Sequence, residues 1–338
     1  MSPLPSARER AWIRRALGAW YRKNRRDLPW RRTRDPYAIW VSEAMLQQTR
    51  VAAVIPYYER FLAEFPDLAS LAAAPEERVL ARWSGLGYYR RARHLRAAAL
   101  LAMDRHGGAL PREPGAFGAL PGVGRYTTGA VLSIAYGVRL PVVDGNVERV
   151  LSRVFARRAK RDTFWDLAAA LMPLRAPGDF NQAMMELGAT VCTPRAPRCD
   201  ACPLAARCRG KERPDEFPVR AARAPVRRVR AAAAILESAR GVYLVRVSAG
   251  PNRGLFDPPT ASGESSLRRR LAALGFRVSA WRERGVVRHG ILDRAYHVTV
   301  YHGRVAGRPA GEWLTRRGLR DAPLTARARK ALELARKA

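Results

Sequence analysis

Apolar residues recur at helical spacing through the first two thirds of the chain, from about Arg8 to Gly210. Residues that repeat every three or four positions form one apolar face of a helix. The clearest run contains Val51, Val54, Ile55, Tyr58, Phe61, Leu62 and Phe65. This pattern predicts a mainly α-helical N-terminal part.

Helix-starting and helix-ending residues divide this part into separate helices. Asp35 followed by Pro36 is typical of an N-cap with proline at the first helical position. We expect that helix to carry Glu43 and Leu46. Gly85-Leu86-Gly87 and Gly107-Gly108 are predicted to end two later helices.

The pattern changes after Gly210. Residues 213–230 are rich in proline and arginine and have no periodicity, which is typical of a linker. Apolar runs of strand length follow at 231–236, 242–247 and 296–301. We therefore predict a helical domain at 1–212, a linker at 213–229 and a small α+β domain at 230–338.

The charge is strongly positive, with 62 Lys+Arg against 29 Asp+Glu and a net charge of +33. Such an excess attracts polyanions, because neutralised phosphates release counterions. However, nearly all the cations are arginine, and a GC-rich coding sequence would also produce that bias. Charge alone leaves both explanations open.

Two classes of location are disfavoured by the sequence. No run of about 18 uncharged apolar residues is present, so we expect no transmembrane helix and no membrane partner. Met1 to Arg15 lacks the apolar block of a secretory signal. We expect a cytoplasmic, nucleoid-associated bacterial protein.

All four cysteines fall in one short segment with the spacing C-x6-C-x2-C-x5-C: Cys192, Cys199, Cys202 and Cys208. Four thiolates from one compact loop can enclose a 4Fe–4S cluster. Structural zinc is the alternative, but zinc sites more often use two separate C-x2-C arms. The spacing favours the cluster, and the absence of other cysteines indicates a reducing compartment.

Three further features carry candidate chemistry. Leu120-Pro121-Gly122-Val123-Gly124 lies between predicted helices at 114–119 and 125–136, which makes it a helix–hairpin–helix candidate. Glu43 stands mid-helix among apolar neighbours, where desolvation would raise its pKa and suit a general acid. Asp144 stands where an apolar stretch meets the next helix. An ordinary turn, a solvated glutamate and a simple N-cap are the respective alternatives.

These motifs occur together and in order with Trp40-Val41-Ser42-Glu43-Ala44-Met45-Leu46-Gln47-Gln48-Thr49 and Val143-Asp144-Gly145-Asn146. Together they resemble the endonuclease III superfamily of helix–hairpin–helix DNA glycosylases, over about residues 8–210. Within it they are similar to the MutY-like branch, which carries the glutamate followed by Gln-Gln-Thr. The resemblance implies a glycosylase domain with an iron–sulfur loop, followed by an α+β domain that resembles a Nudix fold.

The resemblance also implies a reaction and a substrate. A MutY-like enzyme removes adenine paired with 8-oxoguanine or guanine in duplex DNA, and we expect it to act as a monomer. The base is flipped into a pocket. Glu43 would protonate adenine at N7, and the Asp144 carboxylate would stabilise the oxocarbenium-like sugar. Tyr126 and Asn146 would position Asp144 and the sugar.

The remaining implied roles concern binding. Arg31, Leu46 and Gln182 would line the adenine pocket, and Gln47, Thr49 and Leu86 would contact the opposite base. Gln48 and Tyr88 would fill the stack around the flipped base, although Tyr88 could instead be a core aromatic. The backbone at Gly122 and Gly124 would approach a phosphate.

The sequence departs from the family pattern at three places. Bifunctional relatives carry a lysine at the position of Tyr126 that forms a Schiff base, so its absence predicts a monofunctional enzyme. The acid-rich Nudix box is absent from 254–276, which predicts no pyrophosphatase activity. The family's Phe-Ser-His turn is replaced by Ile291-Leu292-Asp293, which puts discrimination of 8-oxoguanine from guanine in doubt.

Two other functions remain open from the sequence. One is a glycosylase of the same fold that acts on thymine or uracil mispairs; Glu43 argues against it, because a pyrimidine needs no N7 protonation. The other is a non-catalytic iron–sulfur protein that binds DNA. The presence of both Glu43 and Asp144 argues against that alternative.

Overall fold

The computed structural model describes residues 4–159, 162–219, 225–291, 293–306 and 310–336. Within these ranges the first part of the chain contains eleven helices: α1 (Ala7–Asn24), α2 (Pro36–Leu46), α3 (Val51–Glu64), α4 (Leu68–Ala73), α5 (Glu76–Trp83), α6 (Arg90–Arg105), α7 (Pro114–Gly118), α8 (Arg125–Tyr136), α9 (Gly145–Val154), α10 (Thr163–Leu171) and α11 (Pro177–Thr190). None of the helices in the described ranges has the length and apolar content to span a membrane.

The C-terminal part combines strands and helices. Its elements are β1 (Arg227–Ser238), β2 (Gly241–Arg246), β3 (Phe256–Asp257), β4 (Thr260–Ala261), α12 (Glu264–Ala273), β5 (Arg277–Ile291), β6 (Arg294–Ala306), β7 (Glu312–Leu314), α13 (Arg316–Asp321) and α14 (Ala326–Arg336). The predicted division into a helical part and a later α+β part is confirmed.

Local capping explains where α2 begins. The Asp35 carboxylate accepts hydrogen bonds from Tyr37 N at 3.1 Å and Ala38 N at 3.2 Å. Pro36 fills the first helical position, where no intrahelical N–H is needed. The helix therefore starts where the sequence predicts. Pro56 lies inside α3.

Contacts divide the chain into two compact units. The first contains Met1–Ala72 and Ala97–Ala222, and the second contains Ala73–Arg96 and Arg223–Ala338. The predicted boundaries around the 213–229 linker remain a prediction. The assignment of residues 73–96 to the second unit has no counterpart in that prediction.

Close helix packing shapes the first unit. Helices α1, α8, α9, α10 and α11 share one apolar core. Within it, α11 approaches α8 and α9 at two glycines. A Cβ at Gly178 would lie 2.4 Å from the Ser133 carbonyl oxygen, and one at Gly188 would lie 2.6 Å from Asn146 Cβ. Any larger side chain at either glycine would separate the helices.

The second unit is built on a seven-stranded sheet with the order β3-β2-β1-β6-β5, with β4 beside β1 and β7 beside β2. Strands β1 and β6 run parallel in its centre, and β5 and β6 form a long antiparallel pair. Ala233 and Ile235 of β1 face a core shared with α14, whereas Ala232 and Ala234 face a core shared with α12. Both faces of β1 are buried, which explains its continuous apolar run.

Residues 73–96 join this sheet through specific hydrogen bonds. Ser84 Oγ donates to Leu324 O at 2.6 Å and accepts from Leu324 N at 3.1 Å. Tyr89 also donates to Leu324 O, at 2.9 Å. Arg329 Nε donates to Ser84 Oγ at 2.9 Å. These contacts connect positions more than 200 residues apart, which local patterning cannot predict.

Replacing Gly178 by alanine is expected to destabilise the first unit by about 1–3 kcal/mol, because the added methyl group meets backbone atoms that cannot move freely. Urea unfolding measures this change. Gly18→Ala in α1 is the matched control, since its nearest atom is the flexible Arg22 Nη1 at 3.7 Å. Alanine there should stabilise by about 0.5–1 kcal/mol. Equal effects of the two substitutions would contradict the packing argument.

Candidate active site

A cavity of about 720 Å³ opens in the first unit where α2, α8, α9 and α11 meet. Twelve of the residues predicted to act in catalysis or binding line it: Arg31, Glu43, Leu46, Gln47, Gln48, Thr49, Gly122, Gly124, Tyr126, Asp144, Asn146 and Gln182. Residues from five separate sequence segments therefore converge on one space.

Glu43 is the buried acid of this cavity. Its residue surface is only 6 % exposed, and it lies on α2, where every residue from Tyr37 to Met45 is buried. Burial raises the pKa of Glu43 to about 7, partly opposed by a hydrogen bond from Tyr126 and reinforced by the negative charge of Asp144. At neutral pH a substantial fraction of this carboxyl group therefore carries a proton.

Tyr126 contacts the buried acid of the cavity. Its hydroxyl donates to Glu43 Oε2 at 2.9 Å and lies 3.2 Å from Met185 Sδ. Its expected role in positioning Asp144 and the sugar stays a prediction. Burial raises the pKa of Tyr126 well above its ordinary value, and the nearby Glu43 and Asp144 carboxylates add to that shift. The phenol therefore remains a neutral hydrogen-bond donor that orients Glu43.

Asp144 is held by three N–H groups at the start of α9. Its Oδ1 accepts from Asn146 N at 2.9 Å and Val147 N at 2.7 Å, while Oδ2 accepts from Asn146 Nδ2 at 2.8 Å. Asp144 is the N-cap of α9 and also lines the cavity. The sequence left these two roles as alternatives, and one residue has both. The expected contact between Asn146 and Asp144 is present.

Arg149 connects this cap to the cysteine loop. Its guanidinium donates to Asn146 Oδ1 at 2.7 Å and Gly188 O at 2.8 Å, and its Nε donates to Cys192 O at 2.7 Å. Sequence patterning alone does not identify this residue. Its only local signal is an arginine one helical turn after Asn146, on the side of α9 that carries buried residues.

A fully buried carboxylate, Glu186, lies beside the pocket. It accepts hydrogen bonds from Arg26 N, Nε and Nη2 at 2.8–3.0 Å and from Arg31 Nη2 at 2.8 Å. Burial opposes ionisation of Glu186, but the bonds from Arg26 and Arg31 outweigh it and lower its pKa to about 2. Glu186 thus fixes Arg31 at the cavity wall, a role that sequence patterning alone does not identify.

The hairpin and the end of α2 supply backbone turns at the cavity. Gly122 adopts φ +77° in the turn before α8, and Gly124 is the N-cap of that helix. The hairpin prediction is therefore confirmed in its geometry. Gln48, just beyond α2, adopts φ +57°, an uncommon conformation for a residue with a side chain and one that often marks functional sites.

Leu86 and Tyr88 lie in the second unit and are absent from the cavity lining. Tyr88 is 54 % exposed and adopts φ +49°, so it is not a core aromatic. The Arg91 guanidinium lies 5.3 Å from the centre of the Trp83 ring and 5.4 Å from that of the Tyr88 ring, and it donates to Gly87 O at 3.1 Å. Leu86, by contrast, is buried.

The four cysteines line a second, small apolar cavity at the end of α11, together with Arg153 of α9. None of the four forms a disulfide. Among the described residues, no group of three or more Cys, His, Asp and Glu is arranged to hold a metal ion. The donor set is nevertheless wholly sulfur, which suits soft metals and iron–sulfur clusters.

A family model described as HhH-GPD superfamily base excision DNA repair protein matches residues 41–169. The adenine DNA glycosylase of Rattus norvegicus is 50 % identical over 216 residues, which is 60 % of this chain and 42 % of that protein. The adenine DNA glycosylase of Buchnera aphidicola is 39 % identical over 196 residues, or 56 % of each chain. The chain thus spans about half the length of these curated relatives.

Two solved structures extend the comparison. A thermostable thymine-DNA glycosylase has a TM-score of 0.57 and 32 % identity, over 60 % of this chain and 96 % of its own. An endonuclease III trapped covalently on DNA has a TM-score of 0.53 and 25 % identity, over 60 % and 97 %. The thymine-DNA glycosylase is matched over nearly its whole length. Its 32 % sequence identity is too high for a likeness in fold alone. The chain belongs to the HhH-GPD superfamily of base excision DNA repair proteins.

Proposed function

We propose that this protein is a monofunctional adenine DNA glycosylase that excises adenine paired with 8-oxoguanine or guanine. The observation that carries the proposal is the pairing of two unlike carboxyl groups in one cavity. Glu43 is buried with a pKa raised to about 7, whereas Asp144 is held by three N–H donors. Carboxyl groups in such different environments can divide the acid and charge-stabilising roles between them.

The chemistry follows from the environment of each group. Adenine leaves poorly as an anion, so Glu43 donates its proton to N7 while the bond between the sugar C1′ and N9 breaks and its electrons pass to the base. Asp144 faces the positive charge that develops on the sugar. Water then attacks C1′, and Glu43, now deprotonated, accepts a proton from it. Tyr126 holds Glu43 throughout through its hydrogen bond.

The same geometry supports the monofunctional assignment. A lyase step through a Schiff base needs an unprotonated amine at the cavity. Tyr126 stands at the position where the bifunctional relatives carry the lysine. Its hydroxyl is buried against Glu43 and cannot form an imine.

We further propose that Cys192, Cys199, Cys202 and Cys208 hold a 4Fe–4S cluster. Their all-sulfur donor set and shared apolar cavity fit the group, and so does the buried Arg153 Nη2, which has no protein partner. When bound, the cluster supplies a structural centre and a redox-active group. In the protein itself, Arg149 joins Cys192 O to Asn146, so this loop and the Asp144 cap support each other.

The remaining partners are proposals on the same basis. The net charge of +33 supports binding to duplex DNA, and cysteines that form no disulfide support a cytoplasmic location near the nucleoid. We propose a monomer whose C-terminal sheet, Nudix-like by resemblance, examines the base opposite adenine. Leu292 in its altered turn lies outside the described residues.

Glycosylase activity on the thymine of a G:T mispair is the second candidate. The similarity to the thymine-DNA glycosylase structure favours it. The raised pKa of Glu43 favours adenine, because release of thymine involves no N7. The two candidates predict different substrates and are separated by one assay.

The assay uses four duplexes that differ only at the central pair: 8-oxoguanine:A, G:A, 8-oxoguanine:C and G:T. We expect cleavage of the adenine strand alone, and only after alkali opens the abasic site. Cleavage before alkali would contradict the monofunctional assignment. Activity confined to the G:T duplex would contradict the adenine assignment and support removal of thymine instead.

Replacing Glu43 by glutamine is expected to lower the single-turnover rate of adenine release about 10²- to 10⁴-fold, the usual contribution of a positioned general acid. Glu59→Gln on α3 is the matched control, because Glu59 is exposed and outside the cavity. Its rate should equal that of the wild type. A Glu43→Gln protein that binds DNA and keeps the wild-type rate would refute the assigned role.

The pH dependence of kcat/KM should show a basic limb near pH 7, because only protonated Glu43 acts as the acid. Tyr126→Phe removes a hydrogen bond that lowers the pKa of Glu43. The limb should therefore move to higher pH in that variant, whatever the absolute rate. A limb that stays in place, or moves to lower pH, would show that Tyr126 does not act on Glu43.

The raised pKa of Glu43 should also make the stability of the folded chain depend on pH. Glu43 binds its proton more tightly in the folded chain than in the unfolded one, so its contribution to folding is full below about pH 4.5 and is lost as the pH rises through about 7. Glu43→Gln should thus raise the unfolding temperature more at pH 8 than at pH 5. Thermal unfolding at both pH values tests this, and an equal effect at the two would contradict it.

A further inference from the structure

Arg153 is an arginine buried in the wall of the cysteine cavity. It lies in the last turn of α9, is only 2 % exposed, and is among the largest fully buried side chains of the described residues. Its Nε donates to Pro214 O at 2.9 Å and to Phe217 O at 3.2 Å. Its Nη1 donates to Thr193 O at 2.7 Å. The side chain thus joins the two ends of the cysteine loop.

One side of this guanidinium faces sulfur. Nη1 lies 3.4 Å from Cys192 Sγ, within hydrogen-bond reach for a sulfur acceptor. Arg153 also lines the small apolar cavity that all four cysteines share.

Two properties of Arg153 are unexplained by the protein alone. Its Nη2 is buried and has no hydrogen-bond partner, and no carboxylate of the described residues forms an ion pair with it. A buried arginine without a counter-charge is costly. A buried donor without an acceptor adds to that cost. Both properties call for an anionic acceptor in the adjoining cavity.

We propose that Arg153 sets the reduction potential of the cluster by charge compensation and N–H···S donation, an inference that rests on the proposed 4Fe–4S site. Four thiolates around an oxidised 4Fe–4S core leave a net charge of minus two. One buried guanidinium offsets half of that charge. Because each added electron makes the site more negative, a buried cation stabilises the reduced form and raises the potential.

The neighbouring cations of the loop do not have this position. Arg207 and Arg209 are exposed, and Arg207 lies over the Trp12 ring at 4.9 Å. Exposed charges are screened by water and salt, whereas a buried charge is screened much less. Arg153 therefore has a stronger effect on the cavity than its more numerous exposed neighbours.

The test compares cluster-loaded wild type with Arg153→Met, Arg153→Lys and the matched control Arg207→Met. Iron and sulfide content, visible absorbance and the midpoint potential are measured without DNA. Arg153→Met should lower the equilibrium constant for one-electron reduction about tenfold, which corresponds to about 59 mV. Arg207→Met should leave the potential unchanged. Arg153→Lys keeps the charge but loses the fork of donors, so its potential should fall between wild type and Arg153→Met.

The possible results are distinguishable. Equal potentials for wild type and a fully loaded Arg153→Met would overturn the role of Arg153 and leave the cluster intact. If Arg153→Met does not retain its cluster, Arg153→Lys decides: a lowered potential supports the inference, and a wild-type potential overturns it. A purely structural role would change cluster retention without changing the potential of the loaded fraction. Wild-type protein without iron and sulfide would instead refute the cluster itself, and this inference with it.

Discussion

The close approach of α11 to α8 and α9 is the constraint on which the rest of the active site depends. Gly178 allows α11 to lie against the Ser133 carbonyl of α8, and Gly188 allows it to lie against Asn146 of α9. Tyr126, Asp144 and Glu186 are carried by these three helices or their caps. The cavity therefore keeps its width only while both glycines leave the backbones in contact.

Four buried charged or ionisable groups occupy this packed region, and each meets the cost of burial differently. Glu43 becomes a weaker acid, so that it can remain neutral. Glu186 stays ionised because two arginines surround it. Arg149 spreads its charge over carbonyl oxygens and Asn146. Arg153 has carbonyl acceptors for two nitrogens but none for the third. Glu43 and Arg153 are the two groups that lack an opposite charge as a partner. Glu43 adjoins the cavity where we propose that substrate binds, and Arg153 adjoins the cavity where we propose that the cluster binds.

The sequence predicts the elements whose signals are local. Asp35-Pro36 marks the start of α2 because both the cap and the ring act within one turn, and the Gly122–Gly124 hairpin is equally local. The sequence does not predict that Tyr126 contacts Glu43, because 83 residues separate them and only the packed helices bring them together. Arg149 and Glu186 were missed for the same reason. A buried arginine or glutamate resembles a surface residue until its distant partners are known.

Residues 73–96 belong to the same compact unit as the C-terminal sheet, so the two units of this chain are not two consecutive sequence segments. Ser84 and Tyr89 hold Leu324 by hydrogen bonds, although the family match at 41–169 includes the first two residues and ends long before the third. The chain passes from one compact unit to the other three times, at about residues 72, 96 and 222. A gene shortened after residue 222 would therefore not encode a smaller complete protein: it would leave α5 without the strands and helices that cover it. Removing the C-terminal sheet would therefore require compensating changes at Ser84 and Tyr89, whose hydrogen-bonding groups would lose Leu324 as their partner.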